Sequence, residues 1–192
     1  MRFYLGILAA AVVIFFWGFA IWGNLAAQIG MLKPLPDEEP VVKAIVETKP
    51  PTGVYIYPMG GAEMAKLTGE AKDVAEKGLQ DKMKAGPIVR LFINTAGSPP
   101  MLEVLATGFL HMLLAAAIMA TLTRCVLSWA EFKARYAFVV SVAVFAAIWI
   151  DLSNAIWMRA PWDHQLFIAG YDVGGWILAG FPIAWGTRSD VA

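Results

Sequence analysis

Cysteine and histidine are nearly absent from this chain of 192 residues: there is one of the first, Cys125, and two of the second, His111 and His164. A single cysteine excludes an internal disulfide framework and any multi-cysteine zinc or iron–sulfur site. Charge is scarce as well. Charged residues make up 16% of the chain, and the 15 basic and 15 acidic side chains cancel. No cationic field remains of the kind that attracts nucleic acid. The GxGxxG, Walker and HExxH patterns, which would point to nucleotides or to a metalloprotease, are also missing.

Apolar residues fill the space. The hydrophobic fraction is 59%, against roughly 45–50% for an average soluble chain. Mean hydropathy is +0.61. Four stretches are long and apolar enough to cross a bilayer, which takes about 20 helical residues. They run from Phe3 to Ala26, Val104 to Thr123, Tyr136 to Met158 and Gln165 to Gly186. The first is too long for a signal-peptide core and is rich in aromatics in its far half, so it is expected to stay as an anchor.

Basic residues in short loops orient the spans. With the N-terminus inside, inner segments hold Arg2, Arg124, Lys133, Arg135 and Arg188, and the short outer loop holds only Arg159. Both termini are therefore expected in the cytoplasm of a bacterial inner-membrane protein, with residues 27–103 outside. Trp22, Trp157 and Trp162 fall near the outer interface, Trp129 and Trp185 near the inner one. The expected organisation is an anchor helix over 1–26, an extracytoplasmic segment over 27–103 and a three-span bundle over 104–192. The fold class is a membrane all-α four-helix bundle with a small α/β cap between spans one and two.

The cap reads as helix, strand, helix, strand. LPDEEPVVKAIVETK offers Asp37 as N-cap and an apolar face at Val41, Val42, Ile45 and Val46; GVYIYP reads as a strand closed by Pro58. One helix is expected from Ala62 to Lys84, weakened by Gly69 and Gly78, with Asp73 and Lys77 at a favourable i,i+4 spacing. PIVRLFIN supplies the second strand. Two strands make a thin sheet, so the cap is expected to need support from the spans or from a partner. The YPMGGAEM turn has the look of an anion-binding helix start, but without a phosphate motif it is read as a plain strand-to-helix turn.

The aromatic-rich anchor, LPDEEPVV, GVYIYP, the GP-initiated second strand GPIVRLFI and three closing spans together resemble a family of small, uncharacterised bacterial four-span membrane proteins. The resemblance implies the architecture and supplies no catalytic residues.

Ionisable groups inside spans are costly and usually face the bundle interior. Here they are His111 in span two, Asp151 in span three and Asp172 in span four, all at one expected depth, with Asn154 one turn from Asp151 and Asn24 near the end of span one. Small residues mark faces where membrane helices approach. Asp151 continues a row of Ala143, Ala147 and Ala155; Asp172 follows Ala169, Gly175 and Ala179; His111 follows Gly108 and Ala115. The three groups are therefore expected to point inward together.

The bland use of such a cluster is interhelical glue, and that is the leading expectation. The chain is then an accessory or structural subunit of a larger membrane assembly, respiratory or photosynthetic, in contact with other membrane subunits and with lipid. It is not expected to be an enzyme or to carry a cofactor. One alternative is a small transporter or membrane-embedded enzyme using the His/Asp/Asp cluster. A second is haem or pigment ligation by His111. A metal held by one His and two carboxylates has no signature to support it.

Overall fold

A computed structural model describes residues 1–188, apart from the side chain of Asn24. The element order is α1 (Arg2–Gln28), α2 (Glu38–Thr48), β1 (Gly53–Tyr57), α3 (Ala62–Ala65), α4 (Gly69–Ala85), β2 (Val89–Ile93), α5 (Met101–Leu127), α6 (Phe132–Trp157) and α7 (Trp162–Gly186). It divides into two compact units, one of residues 1–33 with the chain from Pro99 onward, the other Pro34–Ser98.

The first unit holds the four helices long and apolar enough to span a membrane: α1, α5, α6 and α7. Each overlaps one expected span and extends it by up to a turn, because polar flanks such as Arg2, Glu103, Arg124 and Lys133 continue the helix. The most extensive packing is of α6 on α7, followed by α1 on α7 and α1 on α5. Half of the buried core is alanine: Ala10 and Ala11, Ala116 and Ala120, and Ala179, with Ile7, Ile14, Met119, Val139 and Ile183 between them. Without an apolar-versus-water gain, membrane helices associate through close backbone approach, and small side chains permit it. The tightest approach joins α1 to α7. A Cβ built on Gly6 would sit 2.7 Å from the Pro182 carbonyl oxygen, and one on Gly186 would sit 3.0 Å from the Gly6 Cα.

One end of this unit gathers cations. The Arg2 guanidinium donates to the Trp185 carbonyl and lies over the Trp185 ring, and Arg124 lies over Phe3. Arg135 is buried, with 3% of its surface exposed; it donates to the carbonyls of Ala184 and Ala130. Tyr136 next to it bonds to the Ile177 carbonyl and lays its ring over Gly180.

The second unit differs in detail from the expected cap. β1 and β2 pair antiparallel, with Val54 opposite Phe92, Tyr55 opposite Leu91 and Ile56 opposite Arg90. The single helix expected from Ala62 to Lys84 is two, α3 and α4, separated where Thr68 turns extended and Gly69 adopts φ +60°. That backbone region favours glycine. Asp37 does stand at the N-cap of α2, but its side chain makes no capping bond. The i,i+4 ion pair on α4 joins Lys72 to Glu76 at 3.7 Å rather than Asp73 to Lys77.

This unit has almost no interior. Pro58 is its one buried residue among those described. Val46 is 64% exposed and Phe92 73%, with Val54 and Ile56 exposed on the same sheet face as Phe92. A two-stranded ribbon is marginal in isolation unless one face is covered.

Candidate functional site

The site forms where the four long apolar helices meet. Trp17 from α1, His111 from α5, Asp151 from α6, and Tyr171, Asp172 and Trp176 from α7 line one cavity of about 420 Å³. Ala115, Ala143, Ala147 and Gly175 supply the small surfaces that leave the space open.

Asp151 reaches it because Ala143, Ala147, Asp151 and Ala155 form a buried row along α6. The turn from Ala147 to Asp151 is widened to π geometry, a feature often found where a helix carries a functional side chain. Asp172 stands opposite on α7. The two carboxyl groups lie within hydrogen-bonding reach of each other. Among the described residues no Lys or Arg forms an ion pair with either; the ion pairs there are Lys43–Glu47, Lys66–Glu63 and Lys72–Glu76. Ionised carboxylates only accept hydrogen bonds, so a bond between two of them needs a proton on one.

The aromatic wall is held by hydrogen bonds that apolar counting does not reveal. The Trp17 indole N–H donates to the Tyr171 backbone carbonyl at 2.9 Å, and its ring stacks beside Tyr171 with planes 7° apart. Glycine makes this possible. A Cβ on Gly174 would lie 2.9 Å from the Trp17 ring, and one on Gly175 3.0 Å from it. Trp22 meets Tyr171 edge-on, and its indole N–H is within reach of the Tyr171 hydroxyl.

His111, Asp151 and Asp172 therefore line one space, but they do not converge on a point. Among the described residues no three His, Cys, Asp or Glu side chains could hold a metal ion together. His111 is an exposed residue at the cavity margin; the buried face of α5 is Ala116, Met119, Ala120 and Thr123. Gly108, expected beneath His111 at a close helix approach, faces open space. Asn154 is not among the cavity residues. Its amide donates to the Ile150 carbonyl one turn back in its own helix. The side chain of Asn24 lies outside the described residues. Thr121 and Thr123, towards the far end of α5, donate to the carbonyls of Ala117 and Met119 in their own helix.

The sequence reading missed Trp17, Trp22 and Tyr171 as site residues. Tyr171 beside Asp172, one turn before a paired glycine at 174 and 175 on the same helix face, was the available signal. No protein-family model, no curated protein and no solved structure matches the chain.

Proposed function

We propose that this protein is an accessory integral membrane subunit of a larger assembly, and that its Pro34–Ser98 unit is the part that engages another protein. The observation that carries this is the missing interior of that unit: it buries Pro58 and leaves Val46, Val54 and Phe92 open. Exposed apolar patches of this kind mark interaction sites on folded proteins. A protein partner is favoured over a lipid surface by charge. The unit carries eight basic and nine acidic residues, and binding to anionic lipid relies on basic excess.

In this reading both termini lie in the cytoplasm of a bacterial inner membrane and the Pro34–Ser98 unit lies outside. Support comes from the gathering of Arg2, Arg124 and Arg135 at one end of the bundle, as the positive-inside rule requires of the cytoplasmic side. The test is purification in mild detergent at native expression. A stoichiometric partner that is retained by the wild type and lost in Val46→Asp and Phe92→Asp supports the proposal. A lone monomer, or a partner indifferent to both changes, removes it.

A second reading has its own support. The Asp151–Asp172 pair, with a basic side chain on neither acid, is an expensive arrangement for mere glue, and it suits a small transporter or membrane-embedded enzyme that moves a proton. Asp151→Asn keeps the shape and cannot release that proton. Unchanged function in this variant rules the second reading out. A visible spectrum of the purified protein tests haem or pigment at His111.

A further inference from the structure

We propose that the cavity between the spans binds a monovalent organic cation with an apolar body, its charge held by the Asp151–Asp172 pair and its body by the aromatic wall. The inference rests on the second reading above, that the cavity has a chemical use, and it is independent of the partner proposed for the Pro34–Ser98 unit.

Three observations select this ligand class. The first is the state of the acids. Asp151 is 7% exposed and faces the cavity, and its carboxyl has no donor other than Asp172 among the described residues. No basic side chain among the described residues balances the charge left on the pair, and a bound cation is one way to balance it. Two carboxyls sharing one proton carry one negative charge between them, which a monovalent cation neutralises.

The second observation is the geometry around the pair, which argues against an inorganic ion. Ca²⁺ takes six to eight oxygen ligands and Mg²⁺ demands octahedral geometry. Among the described residues no three ligating side chains converge here, and Ala143, Ala147 and Gly175, which also line the cavity, offer no side-chain oxygen. A diffuse, weakly hydrated charge needs no such cage.

The third is the wall. Trp17, Tyr171 and Trp176 line the same space, with Ile14, Met112 and Ile150 beside them. Aromatic faces attract cations, and quaternary ammonium groups above all. At about 420 Å³ the cavity lies within the range of small-molecule sites, roughly 300–1,000 Å³. Acid alone would suit a proton, and aromatic walls alone would suit any apolar molecule. Their conjunction selects a cation with an apolar body.

The test uses the full chain in lipid nanodiscs, titrated calorimetrically with benzyltrimethylammonium. Its uncharged carbon isostere, neopentylbenzene, serves as competitor. The expected result is saturable 1:1 binding that the isostere fails to displace. Affinity should fall about tenfold or more in the double variant Asp151→Asn/Asp172→Asn, the scale of one lost charge-assisted contact. Both changes are near-isosteric. Should the double variant fail to fold, competition on the wild type still decides. Absence of saturable binding, equal displacement by the isostere, or undiminished affinity in a folded double variant overturns the proposal. Infrared spectroscopy separates this from the second reading. A protonated-carboxyl band that disappears in Asp151→Asn, with no binding of the probe, leaves the proton pair standing and removes only the ligand.

Discussion

Asp151 and Asp172 bring their carboxyl groups within hydrogen-bonding reach across α6 and α7, and no basic side chain among the described residues pairs with either. Asn at position 151 can donate to Asp172 without any proton being shared, so Asp151→Asn is expected to change stability by less than about 1 kcal/mol. Asp151→Leu leaves the Asp172 carboxyl without its partner and is expected to cost about 1–3 kcal/mol. Thermal unfolding in detergent, followed by circular dichroism, distinguishes the two. Equal losses in both variants would contradict the pairing.

Gly6 and Gly108 should respond in opposite ways. A Cβ on Gly6 collides with backbone at Pro182 and Gly186, which cannot move as a side chain can, whereas a Cβ on Gly108 meets nothing within 4 Å. Gly6→Ala is expected to cost about 1–3 kcal/mol by overpacking. Gly108→Ala replaces a helix-interior glycine with the best helix former and should be neutral or slightly stabilising. The same unfolding assay checks both, and a harmless Gly6→Ala would mean that α1 and α7 do not meet there.

Trp17 is held by one hydrogen bond and by the absence of side chains beneath its ring. Trp17→Phe keeps an aromatic body and loses the N–H donor to the Tyr171 carbonyl, an expected cost of about 1 kcal/mol. Gly174→Val should displace the indole altogether. Tryptophan emission reports it, since an expelled indole changes its surroundings; an unchanged spectrum would contradict the slot.

Arg135 is a structural arginine. Its guanidinium ties the Ala184 carbonyl of α7 and the Ala130 carbonyl of the α5–α6 connection to the start of α6. Lysine keeps the charge but not the planar fork, so Arg135→Lys is expected to cost about 1–3 kcal/mol. Unfolding of this variant at the wild-type temperature would show that charge alone suffices.

The four long apolar helices were legible because each is an unbroken apolar run of bilayer length. The row of Ala143, Ala147, Asp151 and Ala155 was legible too, since small residues at i,i+4 spacing already place Asp151 on the buried face. Asn154 does not line the cavity, and spacing cannot show that its amide is spent on the Ile150 carbonyl. Nor can it show the widened turn that ends at Asp151. Trp17 was invisible for another reason. Its inward position depends on Gly174 and Gly175, more than 150 residues away in the chain but in contact with its ring. In the Pro34–Ser98 unit the order of elements was readable from turn and periodicity signals. The break between α3 and α4 was not, because it turns on the backbone angle adopted by Gly69.

The central claim is that the open face of the Pro34–Ser98 unit is covered by another protein in the native membrane. Replacing Phe92 by cysteine, in a background where the exposed Cys125 is changed to serine, puts a reactive thiol on that face. Glu70→Cys on α4 provides an exposed control in the same unit. The account predicts that a membrane-impermeant maleimide labels position 70 in native membranes but position 92 only after purification away from the partner. Equal labelling of both positions in native membranes would contradict it.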